Sequence, residues 1–480
     1  MRARNPRRGS IAIQRIKLSE DVRGSIVALS KQTAPTAIRL GLSVYLVGGS
    51  VRTLVEGRTL PKDWDLVVMG PDNSGARRLA EELSSSWQVR EPVAFHRFGT
   101  YLVPGPEGPV EITQESLRTG LAPEVADPLV RDSLTRDFTV NALYIDMLKV
   151  KPGSSALEIL DPTGSGLKDL QSGVLRTPLN PIVTLGDDPL RILRAARLRS
   201  TGNYRIFPVF SAAAKKAAVL LHGTAAERLR DELDKLMVGT CPSAGLSSLA
   251  SWGVFAVIAP EIEAMVHFRQ RTPYHFPSLF KHTMRTVDRV EPEPALRWAA
   301  LLHDCGKPVV RTSTGDVDRY FSHETAGANI AAELLTRLRF GKERIKRVSE
   351  LIRLHMVQYD TEWTDRAIRR LVSRAGDNLP QLLALLEADS SALRLRAGSL
   401  RALGMLKQRI AELADKVPPP VSPISGTRIM ELLNIEAGPF VGLAKQALVQ
   451  AVVEGDISAE GDESERFLLN WHKERGDKLT

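Results

Sequence analysis

Between residues 23 and 145 short apolar runs alternate with longer stretches in which apolar residues recur every three or four positions. VYLVGG (44–49), WDLVVM (64–69), TYLV (100–103), VEIT (110–113) and FTVNALYID (138–146) predict strands, and GARRLAEELSSS (75–86) predicts a helix. That alternation is expected of a small α/β domain. Residues 146–180 carry Gly, Pro and Asp turn signals, as in DPTGSGLKDLQSG (161–173). From DDPLRILRAARLRS (187–200) onward nearly every segment has helical period. VPPPVSP (417–423) predicts a proline-rich linker before a last helical segment, in which SAEGDESE (458–465) is polar and expected to be exposed. Residues 1–22 are expected to form a loose basic arm.

A chain of 480 residues is too long for one core, which implies three or more domains. A hydrophobic content of 43% favours globular domains over disorder. The net charge of +9, carried in many segments by arginine, suits a polyanionic partner such as RNA. Two cysteines, Cys241 and Cys305, cannot build a disulfide framework and point to a reducing compartment. MRARNPRRGS is basic but no apolar run follows it, and no long uninterrupted apolar window suggests a membrane span. The expectation is a cytoplasmic protein.

The chemistry begins at Asp63 and Asp65. Alternate residues of a strand share a face, so these two carboxylates project together. Close carboxylates repel, and a divalent cation relieves the conflict; hard oxygen ligands suit Mg²⁺. Glu111, flanked by the apolar Val110 and Ile112, is the candidate third carboxylate. Such a cage can hold the metal of a nucleotidyl transfer. Gly48 and Gly49 lie between a strand and a helix expected to begin near Ser50, where bare backbone can approach a triphosphate. Arg52 adds a bidentate phosphate donor.

Taken in order, these residues resemble the signature of the tRNA nucleotidyltransferase and bacterial poly(A) polymerase family, the class II CCA-adding enzymes. TRDFTVNALYID (135–146) resembles the family's arginine–aspartate motif, DDPLRILRAARLRS its nucleotide-selecting helix, and ERLRDELDKLM (227–237) the helical motif that follows. The resemblance covers roughly residues 44–240. It implies a catalytic head with a helical neck, body and tail, and untemplated addition of CCA to tRNA 3′ ends. It also implies that Arg136 contacts the triphosphate, that Arg194 and Arg197 line the nucleotide site, and that Asp137 and Asn141 order it. Two departures stand out: Thr53 and Thr135 occupy positions where the family usually carries aspartate and arginine.

Asp188 and Arg191 are three apart and expected to share a helix face. An Asp accepting from an exocyclic amine and an Arg donating to a ring nitrogen fit cytosine and adenine, and clash with uracil and guanine. This pairing predicts that CTP and ATP enter while UTP and GTP do not. The same Asp-Pro-Leu-Arg sequence is also an ordinary helix start.

A second constellation sets His282, His303, Asp304, His323, His355 and Asp389 on helical segments. Imidazole with carboxylate suits Mn, Fe, Co, Ni or Zn. The adjacent His303–Asp304 pair, with histidines before and after it, resembles the HD phosphohydrolase superfamily over about residues 275–395. That resemblance implies metal-activated water attacking a phosphate ester.

The expected fold is α+β and multidomain: a basic arm (1–22), a nucleotidyltransferase head with a mixed sheet (23–146), an all-helical neck and body (147–265), an HD domain (266–416), and a linker with a helical tail (417–480). The expected function is CCA addition to tRNA using CTP and ATP. The alternatives are CC-only or A-only addition, poly(A) polymerase activity, and an RNA-binding HD phosphohydrolase with an inactive head. A short segment after Glu111 containing Pro123 and Pro128 bears on the choice, because a restrained loop sweeps less space.

Overall fold

The computed structural model describes residues 11–57, 63–95, 99–115, 125–153, 156–271, 278–315, 317–357, 359, 362–393, 396–414, 422–457 and 462–476. The chain divides into two compact units, Met1–Thr224 with Ser251–Val257, and Ala225–Ala250 with Ile258–Thr480. The first is α+β and the second mostly helical. No described helix is long and apolar enough to cross a membrane.

In the first unit the chain runs β1 (Ala12–Ile16), α1 (Glu20–Arg39), β2 (Ser43–Leu46), α2 (Gly48–Val55), β3 (Trp64–Met69), α3 (Gly75–Ser86), β4 (Val93–Phe95), β5 (Thr100–Gly105), β6 (Gly108–Gln114), α4 (Pro128–Thr135), β7 (Ile145–Asp146), β8 (Leu157–Asp161), α5 (Gly166–Gln171), β9 (Val174–Leu175), α6 (Pro181–Asp187) and α7 (Arg191–Ser200). Six strands form one mixed sheet in the order β4-β5-β6-β3-β2-β7. Only β3 and β6 are parallel, at its centre. The apolar residues of β3 and β6 (Leu66, Val67, Val68, Val110 and Ile112) are buried. The helix α3 covers one side through Ala76, Leu79, Ala80 and Leu83, spaced as a helix needs.

The amino-terminal arm departs from expectation. Residues 12–16 form β1, paired antiparallel with β8 along its whole length. The β-branched Ile11, Ile13 and Ile16 favour extended backbone. Ile11 packs against the cluster of Val47, Val67, Met69, Leu129, Ala142 and Tyr144, and Arg15 pairs with Glu158 at 2.8 Å. The helix expected near Ser50 begins earlier, at Gly48.

The second unit is built on helices Leu279–Arg289, Pro294–Leu302, His323–Arg337, Lys342–Leu354 and Leu379–Ala392. A two-stranded ribbon, Thr312–Thr314 with Val317–Arg319, interrupts them. The last helices, Gly426–Leu433, Pro439–Glu454 and Asp462–Gly476, close around Ile429, Leu433, Ala444, Leu448 and Leu468. Most of the proline-rich segment 417–423, the beginning of SAEGDESE, and residues 116–124 with Pro123 lie outside the described residues.

Candidate active sites

Asp63 immediately precedes β3 and Asp65 is its second residue. Between them Trp64 turns to the opposite side, is buried, and donates its indole N–H to the Glu107 carbonyl at 2.9 Å. The alternation therefore leaves Asp63 and Asp65 on one side. Glu111 is the direct neighbour of Asp65 in the β3–β6 ladder, with Val110 and Ile112 buried on the other face. The three carboxylates feel one another. Burial, opposed by Arg136 and Ser50 and reinforced by Asp63, raises the Asp65 carboxyl above its ordinary range. Glu111 reaches solvent, yet the protein around it and the charge of Asp65 raise its carboxyl too.

Gly48 makes this approach possible. Its φ is +76°, and a Cβ there would sit 3.0 Å from Asp65 Oδ2. Beyond the close approach to phosphate expected of Gly48 and Gly49, Gly48 is needed for packing against Asp65 itself. Gly49 has negative φ, and a Cβ there would only touch Arg52. Ser50 donates its hydroxyl to the Asp63 carbonyl at 2.9 Å and lies 3.4 Å from Asp65 Oδ2.

A network of polar side chains surrounds the carboxylates. Arg52 donates to the Asn141 side-chain oxygen. Asn141 donates to Asp137 Oδ1 at 2.8 Å, and Arg194 approaches Asp137 Oδ2 at 3.3 Å. Asp137 thus ties the turn at Thr139–Asn141 to α7. Burial works against its charge, but Arg194, Asn141 and Arg191 prevail and hold the carboxyl below its ordinary range. Arg136 and Arg194 both stabilise the ionised forms of Asp65 and Glu111. Arg197 is half-buried two turns along α7 from Arg191. Thr53 is half-buried on α2, and Thr135 is buried with its hydroxyl on the Asp132 carbonyl.

One expectation fails. Asp188 and Arg191 do not share a helix face, because α7 starts at Arg191 and Asp188 is extended, with φ −142° and ψ 99°. Pro189 is the reason: a residue before proline is pushed out of the helical region. Asp188 instead accepts from the Leu190 N–H at 3.2 Å, an Asx turn that starts α7. The Arg191 guanidinium is buried; it donates to the carbonyls of Thr184 (3.1 Å) and Thr135 (2.6 Å) and pairs with Asp187 at 3.3 Å.

Asp132 and Tyr144 were not singled out by sequence. Asp132 Oδ2 accepts from Arg136 Nε at 2.9 Å and from the Tyr144 hydroxyl at 2.7 Å. An Asp four residues before an Arg on a helix is the one available signal; nothing local points to Tyr144.

In the second unit all six predicted ligands come together. His282, His303, Asp304, His323 and His355 are each no more than 4% exposed. His282 Nε2 lies 2.9 Å from Asp389 Oδ1, and His303 Nε2 lies 3.3 Å from Asp304 and 3.5 Å from Asp389. On the other side of Asp304, His323 Nε2 lies 3.3 Å and His355 Nε2 3.7 Å from Oδ1. The ligand atoms thus form two groups that share Asp304: His282, His303 and Asp304; and Asp304, His323 and His355.

These residues fit a metal. Nδ1 of His303, His323 and His355 lies 2.9, 2.7 and 2.6 Å from the carbonyls of Ala300, Tyr320 and Ile352. A carbonyl only accepts, so Nδ1 carries a proton and Nε2 is the ring atom left to meet a metal. Nε2 of His303 and His323 is buried without a hydrogen bond among the described residues. Gly306 permits the closeness: a Cβ there would lie 2.2 Å from the His323 carbonyl. Lys307 pairs with Asp304 at 2.7 Å and, with His303, outweighs burial to hold its carboxyl well below the usual range. Cys305 is a packing residue whose thiol is pushed up by burial. His222, His267 and His472 lie outside this cluster.

Three family descriptions match the chain: the poly(A) polymerase head domain over residues 44–176, the probable RNA- and SrmB-binding site of polymerase A over 203–266, and the HD domain over 280–401. The A-adding tRNA nucleotidyltransferase of Deinococcus radiodurans is 31% identical over 89% of this chain and 95% of its own length. The CC-adding tRNA nucleotidyltransferase of Thermus thermophilus is 32% identical over 89% of this chain and 93% of its own. A CCA-adding enzyme of Bacillus stearothermophilus, solved with CTP, shares the fold at TM-score 0.62 and 20% identity, covering 96% of this chain and 100% of the other. With the head carboxylates and the HD cluster both assembled, the chain belongs to the class II CCA-adding tRNA nucleotidyltransferase family and carries an HD domain.

Proposed function

We propose that this protein adds CCA to tRNA 3′ ends from CTP and ATP without a nucleic-acid template. The observation that carries this reading is the meeting of Asp63, Asp65 and Glu111 beside Gly48, Arg136 and Arg194. The tRNA 3′ hydroxyl attacks the α-phosphorus of the incoming nucleotide, the bond to the β-phosphate oxygen breaks, and pyrophosphate leaves. Asp63, Asp65 and Glu111 would hold the divalent cation, Mg²⁺ by their hard oxygen chemistry, which acidifies the attacking hydroxyl and offsets charge on the leaving group. Arg52, Arg136, Arg194 and Arg197 bind the triphosphate, and Asp137 with Asn141 keeps Arg52 and Arg194 in register. Base choice belongs to Asp188 and Arg191, which must reorient to reach a base edge. The reading implies a cytoplasmic protein whose partners are tRNA, CTP and ATP.

Partial addition is the second reading, favoured by the A-adding and CC-adding relatives at about equal identity. Incubating tRNA that ends before the CCA, and tRNA that ends in CC, with CTP or ATP separates the cases. Full addition requires CMP on the first and AMP on the second. CMP alone identifies CC addition, and AMP alone on the CC-ended tRNA identifies A addition. No incorporation on either overturns the proposal and leaves the HD site as the active centre. That site is proposed to hydrolyse phosphate esters with a transition metal (Mn, Ni, Co, Fe or Zn) on His282, His303, Asp304, His323, His355 and Asp389.

A further inference from the structure

We infer that Asp132 is a positioning residue for nucleotidyl transfer, acting with Tyr144 to aim Arg136 at the nucleotide. The inference rests on the proposed triphosphate role of Arg136. Asp132 is 3% exposed on α4, one helical turn before Arg136. Its Oδ2 accepts from Arg136 Nε at 2.9 Å and lies 2.8 Å from one terminal nitrogen of the same guanidinium. The fully buried Tyr144 donates its hydroxyl to the same oxygen at 2.7 Å, and its ring centroid lies 5.9 Å from the guanidinium carbon. A guanidinium is a planar fork, so fixing one edge fixes the direction of the other. The Nη1 edge makes no hydrogen bond among the described residues, and about a quarter of the Arg136 side chain remains accessible, 23%. Arg136 also acts electrostatically on both Asp65 and Glu111. One edge is therefore locked into the protein while the charge is delivered to the carboxylate site.

The position of Tyr144 explains why it takes part. It lies at the junction of the sheet and the β1–β8 pair, bridged to Leu160 and packed edge-on against Tyr45. Its hydroxyl can then hold Asp132 without moving. A purely structural salt bridge needs no such third member, because Asp132 and Arg136 already pair.

The test uses the full chain and steady-state kinetics with the tRNA and nucleotide that the wild type extends. Asp132→Asn keeps the shape and weakens the charge-assisted contact; Tyr144→Phe keeps the ring and deletes only the hydroxyl. The expected result is a rise in nucleotide KM of about tenfold for Asp132→Asn and of a few-fold for Tyr144→Phe, with tRNA KM unchanged. Arg136→Ala is made in parallel, and the double variant Asp132→Asn/Arg136→Ala is expected to be no worse than Arg136→Ala alone. If Arg136→Ala leaves nucleotide KM unchanged, the triphosphate role of Arg136 is wrong. If Arg136→Ala raises it but Asp132→Asn and Tyr144→Phe lower only thermal stability, Arg136 binds nucleotide unaided and the positioning role is overturned. Should Asp132→Asn fail to fold, Tyr144→Phe decides by the same criterion.

Discussion

Asp65 and Glu111 stand opposite each other in the parallel ladder at the centre of the head sheet. Burial raises both carboxyls above their ordinary ranges, with Asp65 adding to the rise at Glu111 and Asp63 adding to it at both. A cation must displace those protons, so the half-saturating Mg²⁺ concentration for nucleotide addition is expected to rise as pH is lowered. The rise should begin above the range of an ordinary carboxylate, because the raised groups protonate first. A flat Mg²⁺ requirement across the acidic range would contradict the shared site. Asp65→Ala should reduce addition on the order of a thousandfold or more while tRNA still binds, because phosphate contacts carry binding.

Gly48→Ala tests the close approach of that turn to Asp65. At φ +76° an alanine is strained, and its Cβ would press on the carboxylate at 3.0 Å. A cost of about 1–2 kcal/mol is expected, together with a fall in turnover that Gly49→Ala does not match. Equal effects of the two substitutions on turnover would remove the special place of Gly48.

Asp137 should carry part of the head's acid stability. Its carboxyl is depressed below the unfolded value by Arg194 and Asn141 despite burial. The contribution is complete above the unfolded pKa of about 3.9 and is lost as pH falls through the lower folded value. Asp137→Asn should cost about 1–3 kcal/mol at neutral pH and flatten this acid limb in urea titrations. An unchanged limb would show that other carboxylates dominate it.

Arg191 is the sharpest test of base selection, since its guanidinium is committed to two carbonyls and Asp187. Arg191→Ala is expected to lower thermal stability whichever role it has. The ratio of kcat/KM for CTP over UTP tells the roles apart: a selecting residue changes the ratio, and a structural one lowers both terms together. Asp188→Ala should be read by the same ratio; it also removes the acceptor of the Leu190 N–H and so loosens the turn that starts α7.

The HD cluster should bind two ions per chain, because its ligand atoms form two groups sharing Asp304. His355→Ala should remove one ion and Asp304→Ala both, read by metal analysis of the purified protein, with nucleotide addition unchanged. Binding should release protons. His303 is lowered by burial but raised more by Asp304 and Asp389, up to about 10, and a metal on Nε2 must displace that proton. Calorimetry in buffers of different ionisation enthalpy measures the release. A single ion that survives Asp304→Ala would disprove the shared arrangement.

Local sequence determined much of this protein. Alternation around Trp64 put Asp63 and Asp65 on one side, the apolar neighbours of Glu111 fixed its direction, and helical spacing carried the HD residues. These are consequences of two backbone periods, which neighbours in sequence are enough to express. The isoleucines of β1 carried a strand preference too, but its partner β8 lies far along the chain, and basic residues beside them suggested a loose arm. The spacing of Asp188 and Arg191 implies a shared helix face, which Pro189 prevents by keeping Asp188 out of the helical region. Only the tertiary structure decided that Glu111 stands beside Asp65, that Asp304 is shared by four histidines, and that Tyr144 and Asp132 hold Arg136. Those relationships join residues distant in the chain, and no local period encodes which distant strand or helix will supply the partner.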